Sequence, residues 1–104
     1  MFYKIILIGA GNLGSRHLQG LALVKFKLKI FVIDISNSNL KLAKERFELV
    51  NNKVKHEAVF ENSINQISET SFEIAIIATS SNIRFKIAKN LLKLKTVKFL
   101  VLEK

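Results

Sequence analysis

Residues 1–20 read MFYKIILIGAGNLGSRHLQG, and the reading of this stretch decides the fold. Tyr3–Ile8 is apolar apart from Lys4 and runs into Gly9, Gly11 and Gly14, spaced G-x-G-x-x-G. The chain has only four glycines, so three of them this close together answer a local demand. A buried strand turning sharply into a helix makes that demand. Gly9 stands where the strand must turn. Gly11, without a side chain, lets a pyrophosphate approach the backbone. Gly14 lets the first helix pack close to the sheet. The free N–H groups and the dipole at the helix start favour a phosphate there.

The rest of the chain alternates strand and helix patterns. The readings are strand Tyr3–Ile8, helix Asn12–Val24 and strand Leu28–Ile33, which ends at Asp34. Leu40, Ala43, Phe47 and Val50 then mark a helix face, with Ser38 as its N-cap and Asn51-Asn52 as its break. Glu57–Phe60 reads as a short weak strand, and Ser63–Ile67 as a short helix capped by Asn62 or Ser63. Phe72–Ala78, residues 82–95 and Val97–Leu102 complete the series as strand, helix and strand. No proline and no internal repeat interrupts it. This alternation predicts an α/β fold, a doubly wound parallel sheet of Rossmann type with helices on both faces. Right-handed crossovers give the strand order 3-2-1-4-5. Strands 1 and 4 are then neighbours, and ligands bind in the crevice at their carboxyl ends.

A glycine triplet alone is a weak signal. Here a strand precedes it, a helix follows, and Asp34 stands twenty residues after Gly14. At the end of strand 2 its carboxylate can take the hydroxyls of an adenosine ribose. It would also repel a 2′-phosphate, and Ile35, Ser36 and Asn37 offer no arginine to accept one. NAD is therefore expected over NADP. A methyltransferase loop places an acid just before a tighter G-x-G-x-G. In this chain Ile8 precedes Gly9 and the third glycine comes one residue later, which weighs against that alternative.

Composition sets further bounds. The length, 104 residues, suits one domain with one core. There is no cysteine, which excludes disulfides and thiolate metal sites and fits a reducing, cytoplasmic setting. No apolar run has membrane-spanning length, so no membrane partner is expected. The net charge is +9, but fourteen of the seventeen basic residues are lysines scattered along the chain. Arginine, the preferred reader of bases, occurs three times. In helix 82–95, Ile83, Ile87, Leu91 and Leu94 form the apolar face, and Lys86, Lys89 and Lys93 fall opposite as a wet side. The charge is read as a solvated coat, with no nucleic-acid partner, that still attracts an anionic ligand.

LIGAGNLGSRH, VIDIS, AIIATSS and LVLEK together resemble the nucleotide-binding half of the Gfo/Idh/MocA oxidoreductases, over essentially the whole chain. The resemblance implies that the glycine loop binds NAD or NADP, with Asn12 and Leu13 flanking the pyrophosphate. It implies that Thr79, Ser80 and Ser81 line the cofactor crevice. It also implies that Lys104 is the lysine of a Glu-Lys-Pro motif beside the nicotinamide, the one catalytic candidate. Where that family often has Thr-Pro-Asn-x-x-His, this chain has Thr79-Ser80-Ser81-Asn82-Ile83-Arg84. The family's second domain, which supplies the substrate pocket, is missing from residues 1–104. The expectation is a cofactor-binding domain of an oxidoreductase acting on a carbohydrate-like alcohol, holding a nicotinamide dinucleotide without turnover by itself. The competing reading is a free-standing dinucleotide sensor.

Other candidates have plainer readings. His17 is expected to be structural and half-buried, and His56 to lie on the surface. The two offer no metal-ligand spacing. Ser80 and Ser81 precede a helix and suit capping. Arg84 is read either as an anion contact or as a solvated helix residue. Glu103 and Lys104 are read as site residues or as a frayed tail. The apolar outer edge of the last strand is expected to support a homo-oligomer.

Overall fold

The computed structural model describes residues 2–50 and 54–103. The elements follow in the order β1 (Tyr3–Ile8), α1 (Asn12–Ala22), β2 (Leu28–Ile33), α2 (Asn37–Leu49) and β3 (Glu57–Glu61). A 3₁₀ turn at Ile64–Gln66 leads to β4 (Ser71–Ile77), α3 (Ser81–Leu94) and β5 (Thr96–Leu102). All strand pairs are parallel and the order is β3-β2-β1-β4-β5, as the alternation predicts. This is the Rossmann-type doubly wound sheet.

Alternation along the strands explains the two layers of core. Ile5 and Leu7 of β1 point to one face and pack with Leu18 and Ala22 of α1 and Leu40 and Ala43 of α2. Ile6 and Ile8 point to the other face and pack with Ala88 and Leu91 of α3 and with Ile64 and Ile67 of the turn region. Central strands buried on both sides need the continuous apolar runs that the sequence has. No helix among the described residues is long and apolar enough to cross a membrane.

Several local details differ from expectation. Helix α1 ends at Ala22, two residues early, where the N–H groups of Leu23 and Val24 turn to the carbonyls of Gly20 and Leu21. The cap of α2 is Ser36, not Ser38: its hydroxyl accepts the Asn39 N–H at 3.2 Å. The Asp34 carboxylate starts this turn early by accepting the Ser36 N–H at 2.8 Å. The Asn51-Asn52 break lies outside the described residues. Ser63 caps the 3₁₀ turn in a reciprocal box with Gln66. His56 is not a plain surface residue: it is half-buried, and its Nδ1 accepts the Leu28 N–H at 3.0 Å.

Candidate functional site

The site is built at the carboxyl ends of β1, β2 and β4. The Gly9 N–H bonds the Ile33 carbonyl, and the Ala78 N–H bonds the Ile8 carbonyl, each at 2.8 Å. The glycine loop is thereby clamped between the ends of its two neighbouring strands.

The three glycines differ in why they are glycine. Gly9 has φ +103°, a conformation L side chains rarely adopt, and a Cβ there would lie 2.7 Å from the Ala78 carbonyl oxygen. A Cβ on Gly14 would lie 1.8 Å from the Gly9 carbonyl oxygen. Gly14 therefore lets α1 press on the loop itself, a closer partner than the sheet. Gly11 is under no such constraint. It caps α1 with φ −70°, and a Cβ there would meet nothing within 4 Å. The protein fold does not require a glycine at this position.

Asp34 is tied into the same loop. Its Oδ2 accepts the Ala10 N–H at 2.7 Å and the Asn39 side-chain amide at 3.3 Å, while Oδ1 holds Ser36. One carboxylate thus joins the end of β2, the glycine loop and the start of α2. Neither α1 nor α3 has a side-chain cap at its start, and Ser80 occupies the α3 cap position without bonding it. Helices that begin at the ends of adjacent central strands with free N–H groups present two positive poles toward one crevice.

A cleft of about 600 Å³ opens between the 3₁₀ turn and α3. Gly9, Asp34 and Thr79 lie at its head, over walls of Ile8, Ile33, Ile64, Ile83 and Ile87. Thr79 Oγ1 is buried there without a hydrogen-bond partner. A buried hydroxyl left unpaired costs about 1–3 kcal/mol, so a group in the cleft that bonded it would recover that cost. Lys86, Lys89 and Lys93 of α3 also line the cleft, with Asn90 between them. The lysines read from sequence as the wet side of an amphipathic helix are thus a basic wall of the site. Sequence reasoning missed them as site residues.

Of the remaining predicted site residues, Asn12 and Leu13 form the first turn of α1, exposed and beside the cleft rather than among its lining. Leu13 lines a separate shallow groove with Arg16, His17 and Ile76. Ser80 and Ser81 are exposed at the start of α3 and do not line the cleft either. Lys104 lies outside the described residues. His17 is half-buried, as expected, and its Nε2 lies 2.7 Å from the Glu103 carboxylate. Arg84 is half-buried, and its guanidinium donates to the Glu103 carbonyl. The Glu103 N–H in turn bonds the Ile77 carbonyl at 3.0 Å. The end of β5 is held by three contacts, so Glu103 is not frayed.

No protein-family model and no curated protein matches the chain. Among solved structures it is similar to malate dehydrogenase from Salinibacter ruber, with a TM-score of 0.70 and 15% identity. That match covers 96% of this chain and 36% of the dehydrogenase. It is also similar to a diketoreductase described as catalysing substrate-directed dual catalysis of dicarbonyl compounds, with a TM-score of 0.68 and 20% identity. There the match covers 97% of this chain and 41% of the other. The chain spans about two-fifths or less of the solved proteins it resembles. At these identities the likeness is one of fold.

Proposed function

We propose that this chain is the nicotinamide-dinucleotide-binding domain of an oxidoreductase. The observation that carries the reading is Gly11: a glycine the fold does not need, at the mouth of an uncapped helix, where a side chain would stand in the way of a pyrophosphate. The unpaired Thr79 hydroxyl supports it, as a donor waiting at the head of the cleft. The two solved structures named above are a dehydrogenase and a reductase, and the agreement supports the class of reaction.

In this reading the N–H groups at the start of α1, at Asn12 and Leu13, hold the pyrophosphate. The free lone pair of Asp34 accepts from the adenosine ribose, and the isoleucine walls take the adenine. Lys86, Lys89 and Lys93 raise the local positive potential and draw in the cofactor through its negatively charged pyrophosphate. NAD is preferred to NADP, because Asp34 repels a 2′-phosphate and Ile35 to Asn37 provide no cation to offset it. The nicotinamide, when bound, accepts hydride from an alcohol carbon or returns it to a carbonyl.

The resemblance to the Gfo/Idh/MocA oxidoreductases adds a carbohydrate-like alcohol as the substrate class and Lys104 as the proton-handling residue. Catalysis needs that alcohol fixed within about 3–3.5 Å of the reacting carbon and a base within reach of its hydroxyl. The described cleft offers only Asp34 as a carboxylate, and three donors already engage it. Residues 1–104 therefore bind the dinucleotide without useful turnover. A cytoplasmic setting fits a chain without cysteine. The test is to titrate the chain with NADH by fluorescence and then follow NADH formation from NAD with a panel of polyols, sugars and sugar acids. Saturable binding without steady NADH formation is expected. Absence of binding, or steady formation abolished by Gly11→Val, overturns the respective half of the reading.

A further inference from the structure

One wall of the cleft is the connection from β3 to β4, residues 62–70, and the other is α3. Asn62, Ser63, Ile64 and Asn65 line the cleft from this connecting strap. The strap crosses from the first strand to the fourth in the sheet order, three strand spacings or roughly 14 Å. A helix would hold itself over such a span by its own ladder of backbone bonds. Here a single 3₁₀ turn supplies them, from the Gln66 and Ile67 N–H groups to the carbonyls of Ser63 and Ile64. The distance between strap and α3 therefore depends on what ties the strap down.

Its front end is tied at the site itself. The Asn62 amide donates to the Asp34 carbonyl at 3.0 Å and to Asn37 Oδ1 at 2.7 Å. Its middle is anchored by Ile64 and Ile67, which are buried in the core. Its far end is held from α3. Lys95 is the residue that ends this helix, and its Nζ donates to the carbonyl oxygens of Ile67 at 2.7 Å and Glu69 at 2.6 Å. Lys29 of β2 adds an ion pair with the Glu69 carboxylate at 3.2 Å. Hydrogen bonds from a charged donor are the strong ones. Of these polar ties, the Lys95 ammonium is the one that runs from one wall of the cleft to the other. Lys95 is half-buried and does not itself line the cleft, unlike Lys86, Lys89 and Lys93.

We propose that Lys95 is a positioning residue of the dinucleotide site, an assignment that rests on the cofactor reading above. By holding two carbonyls of the strap against the end of α3, it sets the width of the cleft that receives the adenine. The ammonium suits this task. It is a compact donor with three hydrogens, so one side chain can serve two carbonyls that converge on it. Width matters because a flat ring gains contact only from walls that meet both its faces. A gap of about 0.5–1 Å on one side forfeits roughly a quarter to a half of each atomic contact there. Lys95 thus acts on the ligand through the strap, without touching it.

Lys95→Met keeps the length of the side chain and removes its donors. Amide hydrogen exchange of the whole chain without ligand should quicken roughly tenfold in peptides covering residues 62–70 and stay unchanged in β1. NADH affinity, read by fluorescence titration, should fall about tenfold. Lys25→Met removes the same charge from an exposed residue outside the site, and should change affinity less than about twofold and strap exchange not at all. The chain has no native cysteine, so Lys95→Cys carries a single thiol. Alkylation of that thiol with 2-bromoethylamine rebuilds an ammonium of lysine's reach, and should restore slow exchange and affinity together. Lys95→Gln, which keeps a donor without the charge, replaces Lys95→Met if that variant does not fold, with the same directions of change expected. Unchanged strap exchange overturns the positioning role. So does an affinity lost equally in Lys25→Met, or a failure of the rebuilt ammonium to restore it. Native NADH binding that Lys95→Met leaves intact overturns this role alone, whereas no NADH binding by the native chain overturns the cofactor reading and the role with it.

Discussion

Gly11→Ala and Gly14→Ala make the most discriminating pair of substitutions, because they separate what the fold needs from what a ligand needs. A methyl group at Gly14 would sit 1.8 Å from the Gly9 carbonyl oxygen, where ordinary contact begins near 3.4 Å. Both partners are backbone, so α1 must withdraw from the loop by more than an ångström. Overpacking of this kind costs about 1–3 kcal/mol, and a rigid backbone neighbour places Gly14→Ala at or above the upper end. In a domain of this size that lowers Tm by on the order of 10–20 °C. At Gly11 the added methyl meets nothing within 4 Å, and φ −70° suits any residue. Loss of a favourable N-cap residue and the gain from a stiffer unfolded chain are both below about 1 kcal/mol and oppose each other. Gly11→Ala should therefore melt within a few degrees of the native chain. Its dinucleotide affinity should nevertheless fall at least tenfold, about 1.4 kcal/mol, and Gly11→Val should lose more. Thermal unfolding without ligand and NADH fluorescence titration read the two quantities separately. If Gly11→Ala destabilises the free chain as much as Gly14→Ala does, the glycine is structural. If it binds NADH as the native chain does, the loop is not a pyrophosphate site.

Thr79→Val removes a buried hydroxyl that has no partner in the free protein. It should leave urea stability unchanged or raise it by up to about 1 kcal/mol, while NADH binding weakens about tenfold. The native chain should bind NADH more tightly than NADPH by titration, and Asp34→Ala should weaken NADH binding roughly ten- to hundredfold. Asp34→Ala should also destabilise the free chain by about 2–3 kcal/mol, because the N–H groups of Ala10 and Ser36 lose their acceptor. His56→Phe should cost about 1–3 kcal/mol in urea unfolding by orphaning the Leu28 N–H, with dinucleotide affinity intact.

The topology was legible because each signal was local and repeated. Uninterrupted apolar runs such as Ile5–Ile8 and Ile30–Ile33 announce strands buried on both faces, and short connections leave few ways to order them. What escaped depended on contacts between distant residues. Ser38 was expected as the cap of α2, but the Asp34 carboxylate, held in place by Ala10, starts the turn earlier and makes Ser36 the cap. His56 meets the Leu28 N–H across 28 positions of sequence, which no periodicity reveals. The lysine wall was hidden for a different reason. Lys86, Lys89 and Lys93 obey the rule for a solvated helix face. They line a cleft because the nine residues between β3 and β4 hold only a three-residue 3₁₀ turn in place of a full helix, which leaves the flank of α3 uncovered. A full helix in that connection would have filled the space beside them.

Asp34 shows why the pattern of an acid after strand 2 carries less weight than its position suggests. An ionised carboxylate has about four acceptor sites. Three donors take three of them: two on Oδ2 and one on Oδ1. An asparagine could not substitute in this network. Its oxygen can face the Ala10 N–H or the Ser36 N–H, but its amino group must then face the other, donor against donor. The folded chain alone thus requires an acid here, whether or not a ribose ever binds. The one remaining site on Oδ1 allows a ribose hydroxyl to be added without releasing the glycine loop, so ligand binding and loop geometry do not compete. The same reasoning applies to Gly9 and Gly14, which the fold demands for steric reasons. Three of the residues that define the dinucleotide pattern are therefore explained by folding. The case for a ligand rests on Gly11, where the fold has room for a side chain, and on Thr79, whose buried hydroxyl no described residue bonds.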